Sequence, residues 1–473
     1  FFTLFWQLRN IKKTIIKNNF LIHFKYKKVI ANYNYICNPN KSHFMKKFFL
    51  LIIVSLFSIN SHSQLQKAKK FAKTITAEDL KEYLYVYASD EFEGRNTGDA
   101  GQKKAVEYLR NFYIENEIEP GDPDKDYFQK MKLNLRRGNE GEVDTENVIA
   151  IIKGTEIPDE YVILTAHLDH VGYGRTGSRA GRNVNKIHNG ADDDGSGTVA
   201  VLEIAQAFKE ASKKGKGPKR SIIFLHVTGE EKGLLGSAYY ADNPIYPLED
   251  TVTNLNLDMI GRTDPTREGK NREYIYIIGS DHDSQDLHNL SEKTNSETVN
   301  IDLDYRFNAK DDPQRFYYRS DHYNFAKNGI PIIFYFSGTH PDYHMPSDTP
   351  DKIEYDLLEV RSRLVFYTAW NIANREERIV LDPKPEVKTF EVDEDKLDGY
   401  AGNYGAEGIP LKIGVFIRDK NLFIEVMNQS VQLDPLSEDV FGSEAMGLKL
   451  TFDTENGTME FKQGPYNIKL NKE

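Results

Sequence analysis

Three consecutive aspartates flanked by glycines are the most unusual chemical feature of this sequence. They are Asp192, Asp193 and Asp194 in the stretch HNGADDDGSGT, which runs from His188 to Thr198. Aspartate and glycine are common in solvated loops, so a surface turn is the ordinary interpretation. A calcium loop is another, but such a loop spaces its ligands at alternate positions and closes with a glutamate about a dozen residues on. The stretch becomes informative only together with similar residues elsewhere.

Histidines and carboxylates also follow other predicted strands. They are His167 and Asp169 in VILTAHLDH, Glu230 and Glu231 in IIFLHVTGEE, Asp258 in LNLDMIGR, and His340 and His344 after IPIIFYF. Several carboxylates in one cleft stay ionised only if positive charge lies among them, and no Lys or Arg recurs in these motifs. Two divalent cations would supply that charge. Histidine and carboxylate ligands without thiolate suit zinc, with manganese or cobalt as substitutes.

A two-metal site would also explain one member of the aspartate run. A carboxylate such as that of Asp192, with one oxygen toward each ion, holds two metals roughly 3.5–4 Å apart. The surrounding glycines would let the backbone bring it there.

The predicted elements place these residues at one edge of a sheet. From about Val148, strands such as EYVILTAH and RSIIFLHV alternate with helices such as GTVAVLEIAQAFKEASKK. The strands are apolar at consecutive positions, which is typical of a sheet covered on both faces. This pattern predicts an α/β three-layer sandwich with a central, mostly parallel (mixed) sheet and helices on both faces. In such folds the chemistry lies beyond the carboxyl ends of the strands.

Composition divides the chain into five predicted parts. Residues 45–63, MKKFFLLIIVSLFSINSHS, combine two lysines, a short apolar run and small residues, which predicts a signal peptide rather than a membrane span. Residues 1–44 precede this signal and are expected to be upstream translation rather than native protein. Residues 64–380 are predicted to form the α/β domain and 381–396 a linker with prolines and charges. Residues 397–473 show short alternating segments, which predict a small all-β barrel or sandwich.

Charge and cysteine content narrow the function classes. The formal net charge of −11 argues against a nucleic-acid-binding face. The single cysteine, Cys37, lies upstream of the predicted signal, so the exported part contains no disulfide and no thiol nucleophile. We therefore expect a periplasmic or secreted protein with no membrane anchor after signal cleavage. The sequence favours no particular oligomeric state.

Six motifs together resemble the co-catalytic zinc aminopeptidases of metallopeptidase family 28, clan MH. The resemblance extends from about Thr76 to Asn374, and the motifs occur in the family's order. They are His167-Leu-Asp169, Gly190-Ala-Asp192-Asp193-Asp194-Gly195, Gly229-Glu230-Glu231, Leu257-Asp258-Met259, Ser320-Asp321-His322 and Tyr343-His344-x-Pro-x-Asp348-Thr349. At the C-terminus, LDGYAGNYG resembles the start of a small β-barrel domain that is appended to some exported hydrolases.

The family resemblance implies a metal-binding role for five residues. One zinc ion would lie on His167 and Asp258, the other on Glu231 and His344, with Asp192 bridging both. His340 competes with His344, but Pro341 prevents a helix that would put both on one face, which favours His344.

The resemblance also implies roles for residues that do not bind metal. Asp169 would hold His167 and fix its tautomer. The peptide bond between the bridging Asp192 and Asp193 would be cis, and Glu230 would be the general base. The oxyanion would be stabilised by Tyr317 or Tyr343, between which the sequence does not decide.

These roles predict an exported metallopeptidase with two Zn²⁺ per chain that hydrolyses peptide bonds, with an aminopeptidase acting on peptide or protein N-termini favoured. One alternative is a glutaminyl cyclase-like acyltransferase on the same fold, with one zinc and no histidine at the strand end; His167 with Asp169 argues against it. A second is a non-catalytic binding ectodomain, which would have lost ligands that are present here. A carboxypeptidase or an endopeptidase stays open, because pocket residues determine which end of a substrate is cut.

Overall fold

The structure is a computed structural model that describes most of the chain after the predicted signal. It describes residues 65–473 except 123–125, 136–140, 175, 182–183, 268, 384–389, 391, 393, 407–408, 419, 427–428, 444–445 and 465. The predicted upstream segment 1–44 and signal peptide 45–63 lie outside the described residues, as does part of the predicted linker 381–396. These assignments and the predicted domain boundaries stay predictions.

Within the described residues, nine strands form one mixed sheet. They are β1 (Glu119–Pro120), β2 (Phe128–Leu135), β3 (Gly141–Ile152), β4 (Ile157–His167), β5 (Arg220–Val227), β6 (Thr251–Leu257), β7 (Tyr274–Ile278), β8 (Asp302–Asp304) and β9 (Ile332–Phe336). The strand order is β1-β3-β5-β4-β6-β9-β7-β8, and β2 pairs with β3. The central strands β5, β4, β6 and β9 are parallel, while β3 and β7 pair antiparallel with them. The predicted mostly parallel, mixed sheet is confirmed.

Helices cover both faces of this sheet. They are α1 (Ala77–Tyr87), α2 (Ala100–Glu115), α3 (Gly197–Lys213), α4 (Leu235–Asp242), α5 (Gln285–Glu297), α6 (His322–Ala326) and α7 (Tyr355–Asn374). Successive side chains of a strand point to opposite faces. Accordingly, Leu164 of β4 belongs to a core with Phe208 of α3 and Trp370 of α7. Its neighbour Ile163 packs in a second core with Tyr240 of α4 and Phe325 of α6. The three-layer arrangement is therefore confirmed.

The parallel strands bring their carboxyl ends to one edge of the sheet. β4 ends at His167, β5 at Val227, β6 at Leu257 and β9 at Phe336. The histidines and carboxylates singled out in the sequence follow these ends, because side chains that follow parallel strands meet at the same edge. The aspartate run follows β4 through a loop and leads directly into α3, which begins at Gly197.

A second, separate group of strands follows the short helix α8 (Glu394–Tyr400). They are β10 (Gly402–Ala406), β11 (Ile409–Arg418), β12 (Asn421–Val426), β13 (Gln429–Ser437), β14 (Val440–Ser443), β15 (Leu448–Asp453), β16 (Thr458–Gln463) and β17 (Tyr466–Lys472). Each pairs antiparallel with the next, and β10 pairs with β17 to close a barrel. The sequence left barrel and sandwich open, and the structure has a barrel. Its interior is packed with apolar side chains such as Leu450, Phe452 and Met459.

Within the part of the chain that the structure describes, no helix is both long enough and apolar enough to cross a membrane.

Candidate metal centre

Asp193 lies between two histidines at the carboxyl edge of the sheet. Its Oδ1 is 3.1 Å from Nε2 of His167, and its Oδ2 is 3.1 Å from Nε2 of His344. The Asp193 residue is only 3% exposed. The two oxygens of one buried carboxylate thus face two different groups of side chains.

Each group contains a further carboxylate. Asp258 places Oδ1 3.7 Å from Nε2 of His167. Glu231 places Oε2 3.1 Å from Nε2 of His344. The ligand atoms of His167, Asp193 and Asp258 lie within 4.8 Å of one another, and so do those of His170, Asp193 and Glu231. Asp193 is thus shared by two groups of potential metal ligands.

Backbone carbonyls fix the tautomers of both histidines. Nδ1 of His167 lies 3.0 Å from the carbonyl oxygen of Asp169, and Nδ1 of His344 lies 2.8 Å from that of Gly177. A carbonyl only accepts hydrogen bonds, so each Nδ1 carries a proton and each Nε2 is the nitrogen turned toward the carboxylates. An Nε2 that faces carboxylate oxygens at 3.1 Å needs positive charge between them, which a proton or a metal ion supplies. The residues present therefore fit two divalent cations.

Charge and burial at the site support this fit. Burial lowers the pKa of the His344 imidazole, but the carboxylates of Glu231 and Asp193 outweigh burial and raise it to about 11. The carboxylates thus strongly stabilise positive charge at Nε2. In addition, Oδ2 of Asp193 is buried without a hydrogen-bond partner. Buried polar atoms normally have a partner, and a metal ion would be one.

The structure contradicts the predicted bridging role of Asp192. Oδ1 of Asp192 accepts a hydrogen bond from the Gly261 amide at 2.6 Å, and its Oδ2 lies 3.2 Å from Nε2 of His340. The bridging position belongs to its neighbour Asp193. The cis peptide bond is likewise one residue further along, between Asp193 and Asp194. Because the three aspartates are chemically identical, the sequence contains no sign of which one the turn directs toward the cluster.

The other two aspartates of the run, with a partner from another loop, hold the backbone in place. Asp194 accepts hydrogen bonds from the amides of His167 at 3.1 Å, Met259 at 3.2 Å and Gly197 at 2.9 Å. Its carboxylate therefore joins the end of β4, the loop after β6 and the start of α3. Asp348 accepts hydrogen bonds from the amides of Asp192 and Asp193. The run thus combines a candidate metal ligand, Asp193, with neighbouring carboxylates that accept hydrogen bonds from backbone amides.

Asp169 contacts His167 through its backbone. Its backbone carbonyl, rather than its carboxylate, contacts Nδ1 of His167. The carboxylate accepts hydrogen bonds from the Thr97 hydroxyl at 2.6 Å and from the Glu230 amide at 3.1 Å. Burial raises the pKa of this carboxyl group. Asp169 thus connects the strand end that carries His167 with the turn that carries Glu230.

Glu230 and Glu231 differ in their surroundings although they are adjacent. Burial raises the pKa of Glu230 well above its usual range, and the carboxylates of Glu231 and Asp258 raise it further. For Glu231, burial raises the pKa, but His344 outweighs it and lowers the value to about 2. Glu231 is therefore held as an anion among the ligands, whereas Glu230 holds a proton more readily.

Comparison with known proteins finds similarity in the part of the chain that contains the candidate ligands. A family model described as peptidase family M28 matches residues 147–369, a range that contains all five candidate ligands. Residues 147–369, called the M28 region below, are thus similar in sequence to peptidase family M28. The resemblance predicted from the six motifs is thereby confirmed.

The proteins that are similar to this region carry the names of different activities. A probable zinc metalloprotease from Pyrenophora teres f. teres is 27% identical over 274 residues, which are 49% of this chain and 52% of that protein. Aminopeptidase YwaD from Bacillus subtilis is 28% identical over 244 residues, 50% of this chain and 46% of that protein. The structure of a glutaminyl cyclase from Porphyromonas gingivalis is 19% identical with a TM-score of 0.49, covering 62% of this chain and 97% of that one. The chain spans about half the length of these two curated relatives.

The structure distinguishes His340 from His344 and Tyr317 from Tyr343, the two pairs that the sequence offered for the same roles. His340 lies against Asp192, while His344 lies at the cluster. The ring centroids of Tyr343 and His344 lie 4.0 Å apart, with the two rings tilted by 34°. Burial raises the pKa of the Tyr343 phenol, as do the nearby carboxylates of Asp193 and Glu231. Tyr317 instead packs against other aromatic rings, including His282 at 4.5 Å. We therefore take Tyr343 as the candidate oxyanion stabiliser.

Two residues that support the site, Ser320 and Arg95, had no role in the sequence interpretation. The Ser320 hydroxyl donates a hydrogen bond to Oδ2 of Asp258 at 2.6 Å, which leaves Oδ1 toward His167. The buried guanidinium of Arg95 donates hydrogen bonds to the carbonyls of Leu168 and Gly190. Ser320 lies in a quoted motif, so its position could have indicated a role. Nothing in the sequence near Arg95 points to the loops that it joins.

Proposed function

We propose that this chain is an exported metallopeptidase that holds two zinc ions and removes residues from the N-termini of peptides. The observation that carries the proposal is Asp193, whose two oxygens each face the Nε2 atom of a histidine whose Nδ1 lies against a backbone carbonyl. Ligands of this type, without thiolate, suit zinc. Export rests on the signal-like sequence at residues 45–63.

The ligands divide between the two ions. His167 and Asp258 would hold one, Glu231 and His344 the other, and Asp193 both. When bound, two such cations supply Lewis acidity toward the scissile carbonyl and toward water. The chain's own residues then bind the substrate, orient it and move protons.

Glu230 is the residue we assign to proton transfer. It adjoins the ligand Glu231, and its main-chain amide is anchored by the Asp169 carboxylate. A general base needs a pKa near the working pH. Burial and neighbouring carboxylates raise the pKa of Glu230, whereas bound cations lower it, so the two influences oppose each other. Glu230 would accept a proton from the attacking water and pass it to the leaving amine.

Tyr343 would stabilise the oxyanion. Its ring lies 4.0 Å from that of His344. Burial and the nearby carboxylates of Asp193, Glu231 and Glu230 raise the pKa of its phenol. A hydrogen bond donated from this position to the developing negative charge acts in the transition state. The name of a relative, aminopeptidase YwaD, favours attack at N-termini.

The test uses the purified protein with aminoacyl anilides that have either a free or an acetylated α-amino group. We expect hydrolysis of the free form, loss of activity with a strong chelator and its return with added Zn²⁺. Hydrolysis that survives chelation would contradict a metallopeptidase. Faster cleavage of acetylated peptides would contradict an aminopeptidase. Release of pyroglutamate from an N-terminal glutamine substrate, with one metal per chain, would favour the cyclase alternative.

A further inference from the structure

His170 is a buried histidine at the metal centre to which the roles above assign nothing. It follows Asp169 directly in the sequence HLDH and is 0% exposed. Its Nδ1 lies 2.9 Å from Oε1 of Glu231 and 3.7 Å from Oδ2 of Asp193. Its ring stands edge-on to that of His344, with the centroids 5.5 Å apart. His170 is therefore close to the site that His344 and Glu231 form.

The polar atoms of this contact have no other partner. Neither ring nitrogen of His170 forms a hydrogen bond within the described residues, and neither does Oε1 of Glu231. No carbonyl fixes a proton on one ring nitrogen, which distinguishes His170 from His167 and His344. The Nδ1 proton can therefore point at Oε1. The contact has the length of a hydrogen bond.

The surrounding backbone keeps the His170 ring in place. Gly190 has φ +56°, and a Cβ atom there would lie 2.6 Å from Cγ and Cδ2 of the ring. The amide of His170 donates a hydrogen bond to the carbonyl of Arg95 at 3.2 Å. Only a residue without a side chain leaves space for the ring at this point, so the imidazole is confined between the aspartate loop and Glu231.

The two oxygens of Glu231 consequently face two different histidines. Oε2 lies 3.1 Å from Nε2 of His344, on the metal side, and Oε1 lies 2.9 Å from Nδ1 of His170. We propose that His170 is a positioning residue that donates its Nδ1 proton to Oε1 and so presents Oε2 to the cation. This inference rests on the proposed metallopeptidase function. Residues that orient a ligand in this way contribute about 10–100-fold in metal affinity.

Three substitutions of His170 separate positioning from other roles. His170→Asn places an amide NH₂ near the position of Nδ1, which keeps a donor but is a poor zinc ligand. His170→Ala removes the donor, and His170→Leu does so while filling the space if the alanine variant does not fold. The matched control is His226→Ala, because His226 is equally buried but bonds to the Tyr113 hydroxyl. Metal per chain is measured by elemental analysis after dialysis against a weak chelator, beside turnover.

We expect the parent and His170→Asn to keep both metals, and His170→Ala or Leu to lose one, with 10–100-fold weaker binding of that ion. His226→Ala should lose stability but keep both metals. Equal metal loss in the asparagine and alanine variants would make His170 a ligand and overturn the proposal. Full occupancy in the alanine or leucine variant would overturn it too. A parent protein that binds no metal would instead refute the proposed function itself.

Discussion

The α/β domain and the barrel bury different kinds of side chain. The α/β domain buries charged and titratable residues at its carboxyl edge, including His167, Asp193 and Arg95. In the described part of the barrel, the buried side chains are apolar apart from Ser443. Burying a charge is costly unless it is paired or bound to a metal. The difference indicates where the proposed chemistry lies. The α/β domain buries a cluster of charged side chains, whereas the described interior of the barrel is an apolar core.

The two regions nevertheless touch near the candidate site. Gly447, between β14 and β15, lies against the guanidinium of Arg315, since a Cβ atom there would be 2.8 Å from Nη1. That guanidinium stacks 4.3 Å over the ring of Tyr318. The segment continues to Ser320, which holds Asp258. The barrel therefore contacts the segment of the α/β domain that precedes Ser320, and none of its described residues belongs to the candidate metal ligands.

The largest effect should come from Glu230, if the polar edge performs the chemistry. Glu230→Gln keeps the volume but cannot accept a proton, so turnover should fall by a factor on the order of 100 to 10,000 while both metals stay bound. Glu231→Gln should instead lower metal occupancy, because it weakens a ligand. Zinc content and turnover of both variants check this. Metal loss in Glu230→Gln with retention in Glu231→Gln would reverse the assignment.

A somewhat smaller effect should distinguish the two cores. Leu164→Ala in β4 and Leu450→Ala in β15 each remove a fully buried leucine, which destabilises a core by about 2–5 kcal/mol. Thermal unfolding should show the loss in the α/β domain for the first variant and in the barrel for the second. Turnover of a small anilide should suffer near the transition temperature only in Leu164→Ala. A chain that ends near Pro383 should also keep this activity. Equal loss of turnover in both leucine variants would mean that the barrel completes the site.

A third effect concerns the pH dependence of stability, through Glu203 in α3. Burial, with the charge of Asp79, raises the pKa of its carboxyl from 4.5 to about 8. The folded state therefore holds a proton that the unfolded state releases, so stability falls as the pH rises from about 4.5 to 8. Glu203→Gln should flatten this fall, by roughly 1.4 kcal/mol per unit of pKa shift. Denaturant unfolding of the parent and the variant at pH 5 and pH 8.5 measures the difference. The barrel buries no carboxylate in its described part, so the unfolding transition of the barrel should be the same in the parent and in Glu203→Gln. Parallel pH profiles in both proteins would show that Glu203 is ionised in the fold.

The periodic pattern of apolar residues predicted the sheet and the edge at which the site residues meet. Strands that are apolar at consecutive positions indicated a covered sheet, and the residues after β4, β5, β6 and β9 were predicted to meet at one edge, as they do. Orientation within a turn was beyond reach, because no periodicity applies there. Asp192 was therefore predicted at the position between the two groups of ligands, where the structure has Asp193. His170 escaped notice because its contact with Glu231 joins two loops that are distant in sequence.

The central claim is that Asp193 holds two metal ions, and the matched pair Asp193→Asn and Asp192→Asn tests it most directly. Both substitutions remove one negative charge from adjacent buried positions, and an asparagine at 192 can still accept the hydrogen bond from the Gly261 amide. The measurement is zinc per chain by elemental analysis of folded, purified protein. We predict about two zinc ions in the parent and in Asp192→Asn, and a marked loss of both in Asp193→Asn. A parent with no bound metal, or an Asp193→Asn variant that keeps two, would contradict the account.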